Sequence, residues 1–124
     1  MNGKYLLLPL VLGWLLASSP VVMADTAMQE MVGIMLTLHH YPSDSDKVTL
    51  HKIINDSAST QDERTIAEAL MRMHHTVTDD DKAKLLAISH NESAPAADRK
   101  VAEILANMHH KASAGARAEL EKLK

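Results

Sequence analysis

The sequence predicts an all-α protein of three tandem 35-residue helical hairpins forming a small α-solenoid or helical bundle. Three observations carry this. The chain matches itself at one dominant offset of 35 residues, which brings His39-His40, His74-His75 and His109-His110 into register together with Leu50, Leu85 and Leu120. Around these points apolar character recurs while identity drifts, as in Met31/Ile66/Val101, Met35/Leu70/Leu105 and Ile53/Ile88/Leu123, and spacings of three and four residues are those of amphipathic helices. Helix-start and turn residues separate the apolar runs at the same period, as expected for repeated supersecondary units.

Taken in order, residues 1–24 read as a secretory signal peptide: Lys4, an apolar run from Tyr5 to Ala17, then Ser18-Ser19-Pro20 and Val22-x-Ala24. The run is shorter than the roughly 20 residues a membrane anchor needs. Cleavage is therefore expected after Ala24, leaving no stable membrane insertion and a periplasmic or secreted chain. The remaining residues 25–124 form one repeat domain, with repeats at about 26–60, 61–95 and 96–124. Each reads as helix A, a short turn, then helix B. Thr60-x-x-Glu63 has the form of a capping box, in which side chain and backbone satisfy each other's orphan groups, and Pro95 suits a first helical turn. Ser43, Thr78 and Ser113 stand where their side-chain oxygens can cap helix B. Polar loops (Asn55 to Ser59, Asn91 to Pro95) join one hairpin to the next. The pattern predicts six helices of roughly 10 to 16 residues, with Leu50, Leu85 and Leu120 buried. The period is close to the roughly 34 residues of tetratricopeptide repeats, but the aromatic landmarks of that pattern are missing.

Composition narrows the function. The net charge of −3 becomes −4 once Lys4, the only charged residue before Asp25, is removed, and a mildly acidic domain has no electrostatic reason to bind nucleic acid or anionic membrane. With no Cys, thiolate metal sites, Cys nucleophiles and disulfides are excluded. No nucleophile, base and orienting residue can be assembled into a pattern, and phosphate-binding and zinc-protease motifs are absent. A non-enzymatic role is expected.

The His pairs are the candidate metal ligands: His39, His40, His74, His75, His109 and His110. Only these two columns and the helix-B leucine are identical in all three copies, so the pair is held more tightly than the core around it. On a helical wheel with Met31 at zero, His39 falls near 80°, inside the apolar face, and His40 near 180°, toward solvent. The first member of each pair is thus expected to face a neighbouring helix and build the site, with the second adding weak binding. A plain structural role competes, because a His near a helix C-terminus can bond the last carbonyls. Met35, Met71, Met73 and Met108 lie about one turn from a pair, and thioether with imidazole can hold Cu(I); core filling is the expected role of these side chains. Asp79-Asp80-Asp81 and Asp44-Ser45-Asp46 read as helix-start carboxylates, and His51 and His90 as ordinary surface residues.

The leading expectation is an exported metal-binding or metal-buffering protein, with copper favoured over zinc or nickel. The alternative is a helical-repeat interaction module that binds another exported protein, its histidines making it pH-responsive.

Overall fold

The computed structural model describes residues 25–124; the signal-peptide reading of residues 1–24 lies outside them. Six helices follow one another: α1 (Thr26–Thr37), α2 (Asp44–Asn55), α3 (Gln61–Arg72), α4 (Asp79–Ser89), α5 (Ala96–Ala106) and α6 (Ala114–Lys122). The described residues contain no strand, and the expected all-α architecture is what they form. No helix among them is long and apolar enough to cross a membrane.

Local chemistry sets the helix starts. Ser43, Thr78 and Ser113 accept the backbone N–H of Asp46, Asp81 and Ala116 through their side-chain oxygens, and Thr60 with Glu63 closes a full capping box at α3. Ser43 and Asp46 form a second box. Pro95 stands one position before α5 and makes no side-chain cap, having no donor or acceptor to offer.

The hairpins close on themselves. Helices α1, α3 and α5, the A helices, pack pairwise against one another at the centre, and each B helix leans on the A helix of the next repeat: α2 on α3, α4 on α5, α6 on α1. The last of these contacts brings the final helix back to the first described one, reinforced by Arg117, whose guanidinium donates to the Leu36 carbonyl at 2.9 Å. The array is a closed ring with approximate threefold symmetry. Leu50, Leu85 and Leu120 are each 0% exposed, and burying such a side chain is worth about 1.5–3 kcal/mol.

Candidate metal centre

All three A helices end before the histidines are reached, at Thr37, Arg72 and Ala106. Leu38 and Met73, the caps of α1 and α3, turn to extended backbone with ψ of 135° and 136°. Two residues beyond each buried Leu38, Met73 and Met108, the chain makes a tight turn with His40, His75 or His110 at its tip, at φ of 67°, 71° and 64°. The residues on either side of each tip meet: Tyr41 N–H donates to the His39 carbonyl at 2.7 Å, Lys111 N–H to His109 at 2.6 Å, and His74 N–H to Thr76 at 3.1 Å. This left-handed backbone is the region glycine prefers, and a side chain there is strained by about 1–3 kcal/mol.

Three such tips are locked together by a closed cycle of backbone hydrogen bonds. His40 N–H donates to the His110 carbonyl at 2.6 Å, His75 to His40 at 2.6 Å, and His110 to His75 at 2.7 Å. The cycle joins every repeat to both others and uses the amide of each tip residue. It also fixes where the side chains point. The Nδ1 atoms of His40, His75 and His110 converge, separated by 3.1, 2.9 and 3.0 Å, while their rings meet edge to face with centroids 4.8–4.9 Å apart.

This corrects the helical-wheel expectation. His39, His74 and His109 do not lie in an apolar face; they are exposed, as are all six histidines of the pairs. It is the second member of each pair that converges on a common point. The wheel fails because it continues a helix that has stopped at Thr37 and its equivalents. His74 stands just outside the cluster, stacked on Tyr41 at 5.5 Å and edge-on to His75 at 5.1 Å. His51 is bonded to its neighbour Asn55, and His90 ends α4. Met35, Met73 and Met108 are buried core residues and Met71 is half-buried against them. The carboxylates stay at the helix starts: Asp81 is held by Arg72 through bonds of 3.0 and 2.7 Å, which keeps its carboxyl below the usual range, and Asp46 accepts the Ser43 N–H.

Among the described residues, His40, His75 and His110 are the one group of three or more ligand side chains close enough to share an ion. Three nitrogens in a triangle cannot satisfy one another, because a single N–H points at only one neighbour. With the ring protons on the outward Nε2 atoms, three lone pairs face one centre. A triangle of this size places each nitrogen about 1.7 Å from its middle, against roughly 2.0 Å for a zinc–imidazole bond. The three nitrogens are thus close to the spacing at which they would hold one ion together. Comparison with known protein families, with curated proteins and with solved structures finds no match, so the chemistry of the site rests on its geometry.

Proposed function

We propose that the protein holds a transition-metal ion between the Nδ1 atoms of His40, His75 and His110 and acts as an exported, periplasmic metal-binding or metal-buffering protein, with copper ahead of zinc and nickel. The single observation that carries the reading is the convergence of three imidazole nitrogens, one from each repeat, at about 3 Å from one another. Copper leads because nitrogen-rich sites favour Cu(II) in the divalent series. The three ligands come from three repeats, so the site exists only when the ring is closed. Binding therefore stabilises the fold by mass action.

Calorimetric titration with Cu(II) and Zn(II) tests this on three proteins: the wild type, the His40/His75/His110→Gln variant and the His39/His74/His109→Gln variant. Gln keeps a hydrogen-bonding group but is a poor ligand for these ions. The first variant is expected to lose at least about 100-fold in affinity, or about 2.8 kcal/mol, and the second to stay within a few-fold of wild type. Equal, weak binding by all three would remove the metal reading and leave the interaction module. Export is tested separately by the intact mass of the secreted chain, which should begin at Asp25.

A further inference from the structure

The triad supplies three neutral ligands and no carboxylate, so a divalent ion held there keeps its full double charge, the largest local charge in its surroundings. Among the described residues, no fourth histidine and no carboxylate joins the cluster. The tip amides are already spent in the backbone cycle, and three-imidazole sets of this kind leave at least one position open for an outside ligand. Each ligand histidine is flanked by two exposed residues that meet beside it: His39 with Tyr41, His74 with Thr76, and His109 with Lys111. Every one of these six can donate a hydrogen bond, Lys111 adds a positive charge, and none is acidic.

An exposed dication with an open position and no carboxylate among its ligands fits a negative partner. We infer that the metal-loaded triad is a receptor for a small carboxylate or comparable monoanion, which coordinates the ion at its open position, with the positive charge of the neighbouring Lys111 adding to its attraction. The inference rests on the metal-binding reading and adds to it the class of molecule that the loaded site takes. A metal-buffering protein with this property would carry its ion as a mixed complex. The bond formed is metal to anionic donor, and the bond broken is metal to water, with no change of oxidation state.

The test uses the purified protein loaded with one equivalent of Cu(II) and titrated with azide, then with acetate as competitor. Azide is expected to add a saturable charge-transfer band, acetate to remove it, and Lys111→Glu to weaken azide binding severalfold without weakening copper binding. If copper binds and azide leaves its spectrum unchanged, the ion is coordinatively closed; the receptor inference is then overturned while the metal site stands. An azide band of equal strength in the His40/His75/His110→Gln variant would place the copper elsewhere and overturn both.

Discussion

The two ends of the central three-helix core follow the repeat differently. At the N-terminal end the third helical positions are Met28, Glu63 and Asp98: all buried, at 3%, 2% and 7% exposure, and all different. At the C-terminal end the turn tips are His40, His75 and His110: all exposed and all the same. Local structure accounts for the first end, since Glu63 closes the capping box of α3 and Met28 joins the apolar core. It does not explain the second. An exposed, strained turn tip would be better served by Gly or Asn, and the three imidazoles that stand there instead converge on one another.

The largest effect expected is on packing, where the repeat should behave as a structural unit. Leu85→Ala removes a side chain that is 0% exposed and should destabilise the domain by about 2–5 kcal/mol in chemical denaturation. The same change at Leu50 or Leu120 should fall in the same range. A loss below about 1 kcal/mol at one of them would break the equivalence of the repeats.

Metal should sharpen the contrast between the two ends. At a free concentration about 100 times Kd, bound ion adds about 2.7 kcal/mol to the stability of the fold. Thermal unfolding with and without Cu(II) reads this. His75→Gln should erase the increment, whereas Glu63→Gln, at the far end, should leave it intact.

The N-terminal end has its own pH signature, opposite to that of an ordinary ion-paired carboxylate. Burial, with Asp25 and Asp98 nearby, raises Glu63 to about 7 from 4.5, and burial also raises Asp98. A folded-state pKa above the unfolded one means that the folded form holds its proton more tightly. The associated stability is complete below about pH 4.5 and is lost as the pH rises through about 7. Denaturation of the metal-free protein should show stability falling between about pH 5 and pH 8, by on the order of 2 kcal/mol for Glu63. Gln at this position can keep the capping box, so Glu63→Gln should flatten the slope. Asp81, lowered by Arg72, acts in the reverse sense: its contribution is present above its ordinary value of 3.8 and lost as the pH falls below it.

Much of this was legible in the sequence, and the limits have physical causes. Hairpins, caps and the buried leucines follow from spacing, because a helix forces residues three and four apart onto one face. Closure is not legible: an apolar repeat serves an open array or a ring equally, and what decides is a packing angle fixed by contacts such as Arg117 on Leu36. The His columns were visible as the restrained feature, but their geometry was hidden. Leu38 and Met73 look like helix continuations by apolar period, yet they cap α1 and α3 in extended conformation. A left-handed turn is signalled in sequence by Gly or Asn, and here His stands in that place.

That substitution gives the smallest and most specific prediction. At His40, φ is 67°, where a Cβ atom costs roughly 1 kcal/mol that glycine avoids. Replacing His40 by Gly relieves this strain and also removes one of three crowded Nδ1 atoms, whereas Ala removes the nitrogen and keeps the strain. In the metal-free protein the Gly variant should therefore be more stable than the Ala variant by about 1 kcal/mol, with the same order at His75 and His110. Both should lose the stabilisation that metal gives the wild type. Were the imidazoles there to hold the turns together, Gly would destabilise the apo fold at least as much as Ala. The order of the two variants, measured by denaturation without metal, thus separates a side chain kept for its ligand from one kept for its fold.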